Sequence, residues 1–211
     1  MPAKRLIKDD DALWQSYKRQ SIQQAVIQLM CREGLKSVTM ERVAQEVGIA
    51  KGTVYLHYRD KQELLEAVKE SSLEPLVERI RETVESTASP DRKLESFARR
   101  YLTYFDEKRD LFRILLYERE VTRVYGSRYK TDRYRRLLEY TTSIMQEGMT
   151  AGIFRHTDPQ HLAAMFIESN LALVNQRLMS DNPLPVEEDA QLISDLFLDG
   201  VRIKGRRRTT K

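Results

Sequence analysis

The sequence predicts an all-α protein, a short three-helix domain followed by a larger helical bundle. Strand signals are nearly absent, because no run of β-branched or aromatic residues alternates with polar ones between turn residues. Apolar residues recur instead at three- and four-residue spacing along most of the chain. Residues 16–32 place Ile22, Ala25, Val26, Leu29 and Met30 on one helical face and stop at Gly34, the residue type that ends helices in a left-handed conformation. Thr39 caps a short second helix, 40–46, with Val43 and Val47 four apart. Gly48 breaks it, and a third short helix spans 51–58. Asp60 caps a long helix that begins at Lys61 and carries Leu64, Leu65 and Val68. Pro75 lies inside this segment, where it removes the backbone bond to Ser71 and disfavours helical geometry at Glu74, so a kink or break is expected. Periodicity resumes through Leu76, Val77, Ile80 and Val84, and residues 86–90 read as a loop. Helices over 94–108, 111–124, 129–150 and 159–179 follow, and Pro183 and Pro185 punctuate the start of a last one over 186–203.

The 211 residues allow one large domain or one small and one medium one, with 41% hydrophobic and 32% charged residues of a globular composition. Domain boundaries are expected at 1–61, 62–203 and 204–211, the last a basic, disordered tail. No apolar stretch approaches the roughly 20 residues needed to cross a bilayer, and the N-terminus lacks an apolar signal region. The expectation is no transmembrane span and no signal peptide. Cys31 is the single cysteine, so no internal disulfide can form and a reducing cytoplasm is expected. It reads as a small buried hydrophobe of the first helix. His156 and His161 are five apart, a spacing that does not put both on one helical face, so no metal site and no cofactor are expected.

Charge is unevenly placed. Residues 1–61 hold 11 Lys/Arg against 7 Asp/Glu, whereas 62–211 hold 25 of each. Lys204, Arg206, Arg207, Arg208 and Lys211 concentrate the later positive charge in the tail, leaving an acidic body between two basic ends. A basic head is the electrostatic footprint of a polyanion binder. Thr39 to Lys61, TMERVAQEVGIAKGTVYLHYRDK, has the layout of a helix-turn-helix, two short helices joined by a turn containing Gly48, with small Ala44 where they must approach. Val43, Val47, Ile49 and Val54 suit the core between them, and the second helix suits a DNA major groove. Lys51 offers a donor for phosphate or guanine, Thr53 a contact to phosphate or a thymine methyl, Tyr55 one to phosphate and sugar, and His57 a donor at the helix end. Gly52 permits close approach to the backbone, and Lys61 marks a helix N-terminus suited to phosphate.

At these residues the sequence resembles the TetR family of bacterial transcriptional regulators. The pattern V-A-x-E-V-G-I-A-K-G-T-V-Y-x-H-Y-x-D-K-x-E-L-L, after a helix ending in Gly34, matches that family's N-terminal module over 20–65. The resemblance implies a three-helix helix-turn-helix DNA-binding domain, a helical regulatory and dimerisation domain, and release from operator DNA on binding a small molecule. It assigns Lys51, Gly52, Thr53, Tyr55, His57 and Lys61 to the DNA contact, and Thr39, the cap of the preceding helix, is counted with them. Tyr58 stands where the family usually has a buried Phe and is read as core with its hydroxyl at the edge. Glu41 departs from members with a basic or polar contact there and would repel a phosphate.

Other chemistries fit less well. Ser127 follows Gly126 but lacks the second glycine of a nucleophile elbow, and neither a P-loop nor a G-x-G-x-x-G is present, so no enzyme is expected. Residues 119–136 hold seven Lys/Arg with Tyr125, Tyr129 and Tyr134 interleaved, a stretch that could hold an anionic ligand but is more often a solvated helix face, which is the favoured reading. Tyr101, Phe105, Phe112, Leu116, Tyr134, Met145, Met149 and Phe166 supply material for a small-molecule pocket or simply for a core, and Asn170 is a buried-amide candidate for a ligand contact or an interface hydrogen bond. The last two helices are apolar over more than one face, so Leu173, Leu178, Ile193 and Phe197 are assigned to a two-fold dimer interface.

The sequence therefore reads as a homodimeric repressor that binds palindromic double-stranded operator DNA and is released by a small, largely apolar effector, with no membrane partner. The rival reading is a DNA-bound interaction protein whose C-terminal domain recruits a protein and binds no metabolite.

Overall fold

Left-handed glycines and short polar caps set the boundaries of the first helices. The computed structural model describes residues 3–117 and 131–203, in which nine α-helices are found and no strand. They are α1 (Ala3–Glu33), α2 (Met40–Val47), α3 (Lys51–His57), α4 (Lys61–Glu85), α5 (Pro90–Glu107), α6 (Arg109–Tyr117), α7 (Asp132–Thr150), α8 (Pro159–Met179) and α9 (Val186–Val201). Gly34 at φ 81° and Gly48 at φ 75° adopt the conformation that disfavours a Cβ. Thr39 caps α2 by accepting from the Arg42 amide at 3.2 Å, and Asp60 caps α4 by accepting from the Glu63 amide at 2.9 Å. Residues 118–130 of the two expected middle helices, and the 204–211 tail, lie outside the described residues.

Three expectations change. α1 begins at Ala3 rather than at residue 16, since no glycine or proline interrupts the chain between Ala3 and Gly34. α4 runs unbroken through Pro75. Losing one ladder bond costs about 3 kcal/mol, and burial of Leu73, Leu76, Val77 and Ile80 on the same stretch offsets it. Cys31 is exposed rather than buried, because it lies on the solvent side of α1 beside the buried pair Leu29 and Met30.

The chain forms two units. The first comprises the described residues up to Ser72 with α6 from Asp110; the second comprises Leu73–Arg109 and the described residues from 131 onward. The change from one to the other falls inside α4, between Ser72 and Leu73, where the sequence suggests 61/62. In the first unit α1 packs on α2 and α2 on α3, around Ile22, Val26, Leu29, Val43, Val54, Leu64 and Val68. Val43 and Val54 are fully buried, whereas Val47 and Ile49 are half-buried.

In the second unit α5 is the central helix, packed against α7, α8 and α9, while α7 packs along α8. Its apolar stripe of Leu94, Phe97, Ala98, Tyr101, Leu102 and Phe105 is buried throughout. Among the described residues of this unit, buried charge is paired. Arg177, 3% exposed, donates to Asp189, to Asp106 at 2.9 Å and to the Leu184 carbonyl at 2.7 Å. Lys93 meets Glu147 at 2.7 Å. At the end of α9 the Arg155 amide donates to the Val201 carbonyl at 2.8 Å and the Ile203 amide to the Ile153 carbonyl at 3.1 Å, while Arg202 reaches Asp91 on α5 at 2.8 Å.

Gly148 on α7 lies directly under the fully buried ring of Phe154, whose amide donates to the Gly148 carbonyl at 3.0 Å. A Cβ at Gly148 would stand 2.8 Å from Cγ of that ring and closer still to Cδ2 and Cε2. Gly148→Ala is therefore expected to cost about 1–3 kcal/mol of overpacking. A thermal melt within 1 °C of the parent protein would contradict this contact.

Candidate nucleic-acid interface

Helix α3 is short, and its position is fixed from both ends. Val54 is buried under it, and the Thr53 amide donates to the Ala50 carbonyl at 2.9 Å. At the far end Tyr58 is buried against α1, and its hydroxyl accepts from Gln23 Nε2 at 2.9 Å, which leaves the hydroxyl at the edge of the core. Burial pushes the Tyr58 phenol above its usual range, against the opposing pull of Gln23. What remains outward on α3 is Lys51, Gly52, Tyr55 and Leu56, with Thr53 and His57 half-buried at its margins.

Of the sequence-assigned contacts, Thr39 is exposed at the start of α2 and Lys61 is half-buried at the start of α4, where its ammonium donates to the Leu35 carbonyl at 3.3 Å. Tyr55 is 45% exposed, with the Lys51 ammonium 5.7 Å from its ring centre. A Cβ on Gly52 would meet nothing within 4 Å. The protein itself therefore does not require glycine there, so any demand for a bare backbone comes from something docked outside.

Sequence reasoning missed two cations. Arg19 of α1 donates to the His57 carbonyl at 3.2 Å across a separation of 38 residues, and its guanidinium lies 5.2 Å from the Tyr58 ring centre. Burial, then Arg19, then Lys18 hold the His57 imidazole below its usual range, so α1 brings two positive charges beside the end of α3. No local pattern around His57 signals this, because the partners come from another helix. Sequence reasoning also missed the partner of Glu41, whose carboxylate accepts from the Lys51 ammonium.

In the second unit the aromatic candidates form a run of rings. Tyr101 lies 5.2 Å from Phe105 and 5.6 Å from Phe97, Phe97 lies 5.2 Å from Phe166, and Phe166 lies 4.8 Å from Phe197. Met145, Met149 and Asn170 are buried in the same unit and Tyr134 is half-buried. Phe112 is buried in the first unit instead, and the Leu116 side chain lies outside the described residues, as does most of the basic 119–136 stretch. Asn170 donates through Nδ2 to the Phe166 carbonyl at 2.9 Å, and its buried Oδ1 has no hydrogen-bond partner among the described residues. Of the interface candidates, Leu178 and Ile193 are buried within the chain's own core, while Leu173 and Phe197 are half-buried. The outward apolar side chains of α8 and α9 are Met165, Met179, Leu192 and Leu196.

A pair of short helices turned at Gly48, the second outwardly basic and aromatic and joined by α4 to a separate helical bundle, defines the class of helix-turn-helix transcription regulators. Residues 22–68 match the profile of bacterial regulatory proteins of the tetR family, and residues 87–201 match the tetracyclin repressor-like C-terminal domain. The chain belongs to the TetR family, whose members are DNA-binding, non-enzymatic transcription regulators. It is 23% identical over 181 residues to the HTH-type transcriptional repressor KstR2 of Mycobacterium tuberculosis, covering 84% of this chain and 89% of that one. A TetR-family regulator from Mesorhizobium loti superposes with a TM-score of 0.71 at 22% identity, covering 90% of this chain and 98% of that chain. The SmeT–triclosan complex superposes with a TM-score of 0.64 at 19% identity, covering 91% and 95%. No helix among the described residues is long and apolar enough to cross a membrane.

Proposed function

We propose that the protein is a cytoplasmic, ligand-responsive repressor that binds a palindromic operator as a homodimer and is released by a small, largely apolar effector. The observation that carries the DNA-contact reading is the outward side of α3, where Lys51 and Tyr55 flank a glycine that the protein's own packing does not require. Thr39, Thr53, His57 and Lys61 border that side, and Arg19 and Lys18 extend it with phosphate-binding charge. The exposed Met165, Leu192 and Leu196 on α8 and α9 support pairing with a second copy, which a palindromic operator requires.

Two features support an effector site in the second unit. The aromatic run from Phe105 to Phe197 is a buried apolar and π cluster of the kind that lines small-molecule sites, and the buried Asn170 Oδ1 is an acceptor in want of a donor among the described residues. The similar SmeT fold is known with triclosan, a largely apolar small molecule. Release would act through α4, which passes between the units at Ser72–Leu73, beside the ladder bond lost at Pro75.

The test is a duplex-binding titration with the full-length protein, using DNA selected from a random library. Tyr55→Ala is expected to weaken binding to every duplex about 10-fold or more, and an effector that raises the melting temperature of the parent protein is expected to lower its affinity for the selected duplex. Unchanged binding by Tyr55→Ala would refute the reader assignment. A stabilising small molecule that leaves DNA affinity untouched would refute the release mechanism, whereas a body that no small molecule stabilises would favour the protein-recruiting reading.

A further inference from the structure

Glu41 is an acid on the side of the molecule that, on the reading above, meets a polyanion. It stands in the first turn of α2, directly after Met40, and its side chain is 52% exposed. Its partner is Lys51, the first residue of α3, 50% exposed and likewise outward. The two helices of the motif thus each contribute one charge to a hydrogen-bonded pair at their opening. Each group strengthens the other's charge: the hydrogen bond to Lys51 is the main cause that holds the Glu41 carboxyl below its usual range, and the hydrogen bond to Glu41 the main cause that raises Lys51.

A pair of this kind suits a base edge better than a phosphate. A phosphate offers acceptors only, so Glu41 beside it would be repelled and Lys51 would have to leave its partner. A major-groove edge offers both kinds of group. Cytosine presents the N4 amine as a donor, and its paired guanine presents O6 and N7 as acceptors. The carboxylate retains lone pairs beyond the one given to Lys51, and the ammonium retains two N–H groups beyond the one given to Glu41. Carboxylates accept from cytosine N4 and lysines donate to guanine O6 and N7, and these groups lie side by side in one base pair. We propose that Glu41 and Lys51 act together as a specificity-determining unit that reads a C·G base pair in each operator half-site, Glu41 accepting from cytosine N4 and Lys51 donating to guanine. This rests on the reading that α3 enters the major groove.

The acid and the base then have different signatures from a phosphate contact. Because the pair is neutral as a whole, it supplies base preference and little of the counterion release that dominates non-specific binding. Glu41→Ala should remove the cytosine preference and free Lys51 for phosphate, so affinity for random DNA should not fall.

The experiment uses the full chain and duplexes selected from a random library by the parent protein. The parent is expected to fix a C·G pair in each half-site and to prefer it over A·T or G·C at that position by about 5- to 150-fold. Glu41→Ala is expected to lose that preference while keeping the rest of the selected sequence. A chemical probe gives a second reading. N4-methylcytosine at the position keeps its Watson–Crick pair but replaces the groove-facing N4–H by a methyl. It is expected to weaken binding by the parent protein and to leave Glu41→Ala unaffected. If Glu41→Ala selects the same sequence as the parent with uniformly raised affinity, Glu41 merely neutralises Lys51 and the proposal fails. A conserved A·T pair that responds to Glu41→Ala would also overturn the C·G assignment. Failure of the underlying reader assignment is distinguishable, since Tyr55→Ala would then bind every duplex as the parent does.

Discussion

Arg177→Ala is expected to lower the unfolding free energy by about 3–5 kcal/mol, the cost of leaving a buried ion without its partner. The guanidinium is almost wholly inside the second unit, where it joins α8 to Asp189 of α9, to Asp106 at the end of α5 and to the Leu184 carbonyl before α9. Burial alone would lower its pKa, and the hydrogen bonds to Asp106 and Asp189 more than reverse this, so it stays charged at any pH of interest. Removing it strands Asp189, itself 5% exposed, and frees a carbonyl that no longer has its donor. The expected readout is a urea midpoint shifted strongly downward at unchanged slope. Arg177→Met combined with Asp189→Leu should recover most of the loss, because an apolar pair of similar volume carries no desolvation cost. A loss below about 1 kcal/mol for Arg177→Ala would mean that water reaches the site and screens the charges.

Leu196→Asp is expected to separate the proposed dimer while leaving each chain folded. Leu196 is 69% exposed on α9, so a charge there meets water in a single chain and an apolar partner only in a pair. Sedimentation should show monomers, and operator affinity should fall by about 10²- to 10⁴-fold as two linked contacts become one. Phe197→Asp is a less selective variant, since Phe197 also packs edge-on against Phe166 within its own chain. An intact dimer in Leu196→Asp would place the interface elsewhere.

The difference between Leu196 and Leu178 illustrates what could be read from sequence. Helical periodicity locates an apolar face, and it predicts the last two helices almost to the residue, 159–179 matching α8 in full. On a helix apolar over several faces, however, periodicity cannot say which face meets the chain's own core. Leu178 and Ile193 proved inward, and Met165, Leu192 and Leu196 outward. The head was legible in more detail because its determinants are local: Thr39 and Asp60 cap the residues that follow them, and Gly34 and Gly48 turn the chain where they stand. The Arg19 contact with His57, the Glu41–Lys51 pair and the Gly148–Phe154 approach all depend on which surfaces meet after folding, and no spacing rule encodes them. Of the kink or break expected at Pro75, the break does not occur, since the local penalty is outweighed by burial along the rest of α4.

The tie between Arg202 and Asp91 spans 111 residues of chain. On a ribosome, α5 therefore emerges long before the helix that covers it, and its row of Phe97, Tyr101 and Phe105 waits without α8 and α9. The α1–α3 head closes through near neighbours and can fold as it is made, whereas the bundle must be completed nearly at once after the last helix is released. In this protein the order of synthesis thus makes the DNA-binding end early and the bundle late, and nascent chains stalled before α9 would be the species most exposed to aggregation.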